Sequence, residues 1–131
     1  MSKPRVLITT YYLKPGSEVD RYLQQAGLDV VFSPWRGNRT EDEMIEVLRG
    51  IDGAIASSDP FTARVIAAAD RLKIIARTGA GYDTVDVKAA TARKIAVCTT
   101  PGANRHAVAE WAITLMLMLA RKALDNLAEV R

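Results

Sequence analysis

A short glycine-rich segment, Gly79-Ala80-Gly81, carries the clearest chemical signal in the sequence. It follows an apolar run that ends at Arg77 and precedes a segment with helical character. Missing or small side chains let a ligand approach the backbone closely. Successive N–H groups at such a turn, together with the N-terminus of a following helix, attract a carboxylate or a phosphate. The spacing alone is equally compatible with a tight strand-to-helix turn that binds nothing.

Residue type and spacing exclude several other kinds of site. A dinucleotide fingerprint G-x-G-x-x-G that began at Gly79 would need glycine where the chain has Thr84. The sequence contains neither a P-loop nor a G-x-S-x-G nucleophile elbow. With one cysteine, Cys98, and one histidine, His106, it has no Cys/His cluster with metal-ligand spacing. We therefore predict no metal site and no cofactor site in this chain.

A second segment of interest runs from Thr99 to His106 and contains the turn Pro101-Gly102. Asn104 is placed to cap the following helix, which is the main role that its residue type predicts. An asparagine at the carboxyl end of a strand can also hydrogen-bond a ligand. His106 falls in the first helical turn, where we interpret it as a surface residue rather than a catalytic one.

Alternating strands and helices position both segments. Apolar, β-branched runs predict five strands, and the segments between them carry helix caps and apolar stripes. This alternation indicates an α/β domain with a flavodoxin-like parallel sheet in the order 2-1-3-4-5 and flanking helices. Ligands bind beyond the carboxyl ends of such strands. The predicted strands are Val6–Tyr12, Asp29–Ser33, Gly53–Ser57, Leu72–Arg77 and Ile95–Thr99, and the helices are Glu18–Gln25, a segment capped by Thr40, a segment capped by Thr62, Thr84–Arg93 and Asn104–Glu129.

Composition narrows the class of protein. The 131 residues are typical of one domain, and 49% hydrophobic and 25% charged residues are ordinary for a soluble globular protein. The net charge of +3 comes from scattered Lys and Arg, which predicts no nucleic-acid patch. The longest apolar stretch, Trp111–Ala120, is about half of the roughly 20 residues that a membrane span needs. A single cysteine and no signal-peptide pattern lead us to predict a cytoplasmic protein without a membrane partner.

One long part of the chain resembles a known family, the D-2-hydroxyacid dehydrogenases, which include phosphoglycerate dehydrogenase and glyoxylate/hydroxypyruvate reductase. The resemblance is weak over residues 1–70 and strong over 71–121. It implies a flavodoxin-like substrate domain that is split around an inserted nicotinamide-binding Rossmann domain. The matching positions are Leu72–Asp86, Ile95–Thr100, Pro101, Asn104, Val108–Glu110 and the helix up to Arg121.

The resemblance also implies roles for individual residues. The family's small-residue loop binds the substrate carboxylate through main-chain N–H groups, a role that falls to Ala80 and Gly81, while Gly79 shapes the turn. Arg77 corresponds to an arginine that helps to hold an anionic substrate, although its position also suits an ordinary surface charge at a strand end. Asn104 corresponds to a position that faces the substrate and the nicotinamide in some members of the family. No residue of this chain is predicted to be catalytic.

The family's catalytic Arg, Glu and His and its glycine fingerprint lie downstream of the matched segment, and His106 is not the family's catalytic histidine. We therefore expect a fragment that is inactive alone, with a substrate-binding domain at 1–103 and a long apolar helix at 104–131. NAD or NADP would serve the complete enzyme, and the ligand of this chain would be a weakly bound small 2-oxo or 2-hydroxy acid. The alternative is a stand-alone flavodoxin-like module that binds a ligand or partner without catalysis.

The terminal helix, predicted from Asn104 to Glu129, is apolar nearly all round between Trp111 and Ala120. A surface helix of a monomer normally shows one polar face. A domain of this size has little with which to cover a second apolar face, and exposed apolar patches usually mark interfaces. We therefore predict a homodimer, or a dimer that exchanges this helix.

Overall fold

The computed structural model describes residues 3–35, 37 and 39–129. These residues contain five strands and six helices, and strands alternate with helices up to the last strand. In chain order the elements are β1 (Arg5–Ile8), α1 (Glu18–Gln25), β2 (Asp29–Phe32), α2 (Glu41–Val47), β3 (Gly53–Ala56), α3 (Ala63–Ala68), β4 (Ile74–Arg77), α4 (Val87–Ala92), β5 (Ala96–Cys98), α5 (Arg105–Ala120) and α6 (Ala123–Glu129).

The strands form one parallel sheet in the order β2-β1-β3-β4-β5, which confirms the predicted flavodoxin-like arrangement. Its register aligns one row of side chains across the whole sheet. The row runs through Val31, Leu7, Ala54, Ile75 and Val97. Because every strand points the same way, all five carboxyl ends meet at one edge, and the loops that follow neighbouring strands lie side by side.

The hydrophobic core lies on the face of the sheet to which this row points. Leu7, Ala54 and Ile75 are buried there together with Met44 of α2 and Ile66 of α3. Burial of each large aliphatic side chain contributes about 1.5–3 kcal/mol, so this face accounts for most of the stability of the sheet. The core therefore provides a rigid base for the loops at the carboxyl edge.

The opposite face of β4 and β5 is open. Side chains alternate along a strand, and three of the four residues next to the buried row in these strands are exposed: Ile74 is 40% exposed, Ala96 and Cys98 are exposed as well, and Ala76 is half-buried. This face thus presents apolar side chains that no element of the sheet unit covers.

Several predicted element ends are wrong because contacts distant in sequence determine them. The first strand ends at Ile8 rather than Tyr12, and Tyr11 lies in a turn with its ring 5.4 Å from that of Tyr12. The helix predicted from Thr84 begins at Val87. The reason is that Phe61 bridges to Val85, with Phe61 N donating to Thr84 O at 2.7 Å.

The helix predicted from Asn104 to Glu129 is two helices rather than one. The break falls at Arg121 and Lys122, where Lys122 adopts a left-handed conformation with φ of 47°. A left-handed residue cannot continue a right-handed helix. The sequence gives no Gly or Pro there that would have indicated the break.

The chain divides into two compact units, Met1–Thr100 and Pro101–Arg131. The first contains the sheet and α1–α4, and the second contains α5 and α6. Every residue of α5 is exposed except the half-buried Met118. No helix in the described part of the chain has the length and hydropathy that crossing a membrane requires.

Predicted caps are confirmed for α2 and α3. Thr62 begins α3 by accepting a hydrogen bond from Val65 N at 3.3 Å, and Thr40 and Glu43 form the predicted capping box of α2. We expect Thr62→Ala to lower the free energy of unfolding by about 1 kcal/mol, because α3 loses its cap. Urea denaturation measures this change.

The matched control is Thr91→Ala, which removes an exposed hydroxyl within α4 that donates to Val87 O. It should change the free energy of unfolding by less than about 0.5 kcal/mol. Equal effects of the two substitutions would contradict a capping role for Thr62.

Candidate carboxylate-binding site

The candidate site is the segment Thr78–Asp83, called here the glycine loop. Its first residue is held on β3, since Thr78 N donates to Ala56 O at 2.9 Å and the Thr78 hydroxyl donates to the same oxygen at 3.2 Å. Gly79 O accepts from Thr100 N at 2.9 Å. The entry to the loop is therefore tied to both neighbouring strand ends.

The next three amides have no hydrogen-bond partner in the described part of the chain. The N–H groups of Gly79, Ala80 and Gly81 donate to no acceptor among residues 3–35, 37 and 39–129. Ala80 and Gly81 are exposed and Gly79 is half-buried. Successive N–H donors with no internal acceptor are the groups that an anion binds in such loops. Carboxylate binding by these residues stays a prediction.

Backbone conformation does not explain why Gly79 and Gly81 are glycines. Neither adopts the left-handed φ that favours glycine, in contrast to Gly50 and Gly102. A Cβ added at Gly79 would meet no atom within 4 Å, and one at Gly81 would meet only Asp83 Oδ2 at 3.3 Å. A tight turn therefore does not require glycine at 79, and the missing side chain leaves open space above the loop.

Arg77 spans the loop from its strand end. Its Nε donates to Gly81 O at 3.2 Å, and its Nη1 donates to Thr84 Oγ1 at 2.7 Å. Partial burial lowers the pKa of the Arg77 guanidinium below its usual range, and the carboxylates of Asp59 and Asp83 oppose this shift by favouring the charged form. Arg77 thus both positions the loop and places a positive charge beside the free amides.

The helix that follows does not strengthen the site, which corrects one expectation. α4 has six residues and begins at Val87, beyond the loop. Its cap, Asp86, accepts from Ala89 N at 2.9 Å, so a carboxylate of the chain already occupies the helix terminus. This loop therefore does not fit the pyrophosphate of a dinucleotide, which needs a glycine fingerprint and an open helix N-terminus.

The remaining predicted residues are separate from this loop in the chain. Asn104 lies in the second unit, at the start of α5, but its side chain makes no capping hydrogen bond, contrary to expectation. His106 is exposed in the first turn of α5, where its Nε2 lies 3.3 Å from Arg105 Nε. The structure thus places Gly79, Ala80 and Gly81 on the glycine loop and Arg77 at the end of β4, directly before it. It assigns Asn104 to the other unit.

Sequence reasoning missed a buried ion pair at the same edge of the sheet. Arg39 Nε lies 3.5 Å from Asp59 Oδ1, and both side chains are buried. The two residues are far apart in sequence, so no local pattern joins them. One signal was available, since Ser57-Ser58-Asp59 is a polar run directly after an apolar strand.

Comparison with known proteins agrees with this geometry. The family model described as D-isomer specific 2-hydroxyacid dehydrogenase, catalytic domain, matches residues 6–130. D-3-phosphoglycerate dehydrogenase of Archaeoglobus fulgidus is 42% identical over 101 residues, which are 77% of this chain and 19% of that protein. This chain thus spans about a fifth of the length of that relative.

Solved structures show the same similarity. NAD+-bound 3-phosphoglycerate dehydrogenase of Entamoeba histolytica superposes with a TM-score of 0.76 at 35% identity, over 88% of this chain and 39% of that one. A glyoxylate reductase of Paecilomyes thermophila superposes with a TM-score of 0.72 at 28% identity, over 94% of this chain and 40% of that one. The chain therefore matches less than half of each of these two proteins.

Substitution at Gly79 tests whether the fold needs glycine there. We expect Gly79→Ala to change the free energy of unfolding by less than about 0.5 kcal/mol, because the added methyl group meets open space. Gly50→Ala is the matched control. Its φ of 67° strains an alanine, and we expect it to cost about 1 kcal/mol. Urea denaturation of both variants measures the difference. If Gly79→Ala lowers the free energy of unfolding as much as Gly50→Ala does, a tight turn requires glycine at position 79 after all.

Proposed function

The chain belongs to the D-isomer specific 2-hydroxyacid dehydrogenase family, and on that basis we propose that it is a substrate-binding domain fragment of an NAD(P)-dependent D-2-hydroxyacid dehydrogenase. In this proposal the glycine loop binds the carboxylate of a small 2-oxo or 2-hydroxy acid. Ala80 and Gly81 donate their N–H groups to the carboxylate oxygens, and Arg77 supplies the opposite charge. Asn104 contributes a further hydrogen bond to the substrate in the complete enzyme.

The observation that carries the proposal is the row of N–H donors at Gly79–Gly81, which have no acceptor among the residues that the structure describes. Hydrogen bonds from N–H groups to an ionised carboxylate are shorter and stronger than those to a neutral acceptor. Partial burial of Arg77 further strengthens the attraction for a carboxylate, because a bound anion stabilises a guanidinium that has lost part of its hydration. These features together favour a monoanionic carboxylate over a neutral ligand.

Hydride transfer is not proposed for these residues. The loop and its surroundings do not fit a nicotinamide dinucleotide, so NAD or NADP would bind to other parts of a complete enzyme. We expect the 131-residue chain by itself to bind acids weakly and to show no dehydrogenase activity.

The alternative function is a stand-alone flavodoxin-like module that binds a ligand without catalysis. The native gene distinguishes the two. An in-frame continuation beyond the codon for Arg131 that encodes a glycine fingerprint would favour the dehydrogenase, and a stop codon there would favour the module.

Titration of the chain with glyoxylate or pyruvate, followed by backbone amide NMR, tests the carboxylate site. We expect the Ala80 and Gly81 amide signals to shift at millimolar acid. Arg77→Gln should weaken binding about tenfold, since a hydrogen bond to a charged group contributes roughly 1.5 kcal/mol.

Arg64→Gln is the matched control, because it removes the same charge from an exposed ion pair with Glu41 and Asp42. It should leave the affinity unchanged. Ala80 and Gly81 signals that stay in place at saturating acid would reject the proposed site.

We also propose that the chain forms a homodimer, or exchanges a helix between two copies, through α5 and α6. Large apolar side chains are exposed all round α5, among them Trp111, Leu117 and Leu119. The open sheet face formed by Ile74, Ala96 and Cys98 is a complementary apolar surface. Burying both surfaces removes apolar area from water, which is the main driving force for stable association.

Size-exclusion chromatography with light scattering tests this association. We expect a dimer mass, and we expect Leu117→Lys to shift the population towards the monomer because it places a charge in the interface. The control is Ala68→Lys, at an exposed position of α3 outside the proposed interface. A monomer mass that is independent of concentration would contradict the proposal.

The proposal extends to the location of the protein. One exposed cysteine, Cys98, is compatible with a reducing compartment. Scattered positive charge supports neither a nucleic-acid nor a membrane partner. We therefore place the protein in the cytoplasm, with a small acid as its ligand.

A further inference from the structure

The strand β5 forms one edge of the sheet, and no strand in the described part of the chain lies beyond it. Ala96 N and Thr100 N each donate, at 2.9 Å, to a carbonyl oxygen on the β4 side. Because backbone groups alternate between the two sides of a strand, the N–H and C=O groups of Val97 and Thr99 point away from the sheet. Outward backbone groups of this kind are a template for a further strand.

The sequence of this edge favours the addition of a strand. Ile95–Thr100 is a run of six residues without charge, Gly or Pro, and four of them are β-branched. Edge strands are commonly protected by a charged residue or a proline, and neither occurs within this run. Lys94 and Pro101 lie directly outside it. They confine pairing to a short stretch, so an added strand has a defined register.

A pocket of about 420 Å³ lies along the same edge and is lined by Tyr82, Val87, Val97 and Thr99. Tyr82 is 56% exposed and Val87 is 40% exposed, although both side chains are large and largely apolar. Val97 packs against the hydrophobic core, so the pocket is on the core side of the sheet. Since side chains alternate along a strand, an added strand would direct every second side chain to this side.

A second copy of β5 fits this edge in antiparallel orientation. Pairing centred on Cys98 places Val97 opposite the partner's Thr99, and Thr99 opposite the partner's Val97. Each of these pairs exchanges two N–H···O bonds, so the outward groups of both residues are bonded in both copies. Pairing centred on Val97 would instead require Ile95 N, which already donates to Ala90 O at 2.9 Å. The register centred on Cys98 therefore satisfies the edge more completely.

The same register matches apolar surface and charge. Residues directly opposite each other point to the same face of a sheet, so the partner's Val97 projects beside Thr99 towards the pocket. Antiparallel pairing also sets the amino edge of one sheet beside the carboxyl edge of the other. Near β5 the amino edge carries the exposed Lys94, and the carboxyl edge carries the exposed Asp83. These opposite charges favour a second copy of this chain as the occupant.

We propose that two copies of the chain associate by pairing their β5 strands in antiparallel orientation about a two-fold axis at Cys98. The two sheets then form one continuous sheet, and the open faces of β4 and β5 in the two copies join into one apolar surface. This contact deepens the association proposed above by adding a contact between strands to the contact through α5 and α6. We expect both contacts to occur within one dimer.

Cys98 reports on this contact. In the proposed register its two copies form a non-hydrogen-bonded pair with Cα atoms about 4.5 Å apart, which is within the range of about 4.4–6.8 Å that a disulfide spans. Diamide takes two electrons and two protons from two thiols and so records their proximity as a disulfide. We expect micromolar 131-residue chain to give a dimer band on a non-reducing gel, which dithiothreitol removes and which urea prevents.

The matched control moves the thiol along the same strand. Ala96→Cys combined with Cys98→Ser keeps one exposed thiol on the same face, but the proposed register separates the two thiols by about four residues, or roughly 14 Å. We expect the unmodified chain to form the disulfide at least about tenfold faster than this variant, because only its thiols are held within bonding distance. Equal rates would indicate random collision and would overturn the strand pairing.

Two further variants test the edge itself. Thr99→Pro removes an outward N–H and leaves the bonds between β4 and β5 in place, since proline is tolerated where the N–H faces solvent. It should abolish the rapid cross-linking of Cys98. Lys94→Glu places like charges beside each other across the contact and should slow cross-linking, and the addition of Asp83→Lys should restore the rate. Dispersed amide spectra verify that each variant folds.

The outcomes distinguish this contact from the association through the helices. A dimer mass in light scattering, with Cys98 cross-linking no faster than the shifted thiol, would overturn the strand pairing and leave the helix contact standing. Rapid cross-linking that persists in a folded Thr99→Pro chain would also overturn it, as would a Lys94→Glu chain that cross-links at the unmodified rate. The amide titration with acids measures the carboxylate site separately from all of these results.

Discussion

The parallel pairing of β3 with β4 is the constraint on which the polar edge of this domain depends. It places the residues after Ala56 directly beside the residues after Arg77, and Thr78 reinforces the junction by donating twice to Ala56 O. The buried row through Leu7, Ala54 and Ile75 keeps this register, because a shift by one residue would turn those side chains away from the core. Packing on one face of the sheet thus determines which polar groups meet at its edge.

At that edge, charges are arranged in opposite pairs rather than as a surplus of one sign. Arg39 lies beside Asp59, and the carboxylates of Asp59 and Asp83 favour the charged form of Arg77 by raising its pKa. A buried ion pair adds little to stability relative to apolar packing, since both ions lose hydration. Under the proposed function, the loop amides meet the anion, because Arg39 and Asp59 are already paired with each other.

Local patterns predicted the strand order and the caps at Thr40 and Thr62, because alternation and capping depend on neighbouring residues. Three of the proposed substrate-binding residues, Gly79, Ala80 and Gly81, also fall on one loop, since they are adjacent in sequence, and Arg77 ends the strand before it. The start of α4 was misplaced because the Phe61–Val85 bridge joins separate segments. The Arg39–Asp59 pair was missed because it depends on a contact between segments that are far apart in sequence. The break at Lys122 was missed because it depends on a left-handed conformation that lysine rarely adopts.

The single cysteine of the chain stands at the end of β5, where its thiol is exposed on the open side of the sheet. A maleimide dye or spin label would attach there at one place, without any engineered residue. Such a label would lie two residues before Thr100, which donates to Gly79 O, and it would sense any molecule that covers this surface. The native chain therefore carries its own attachment point for fluorescence or distance measurements.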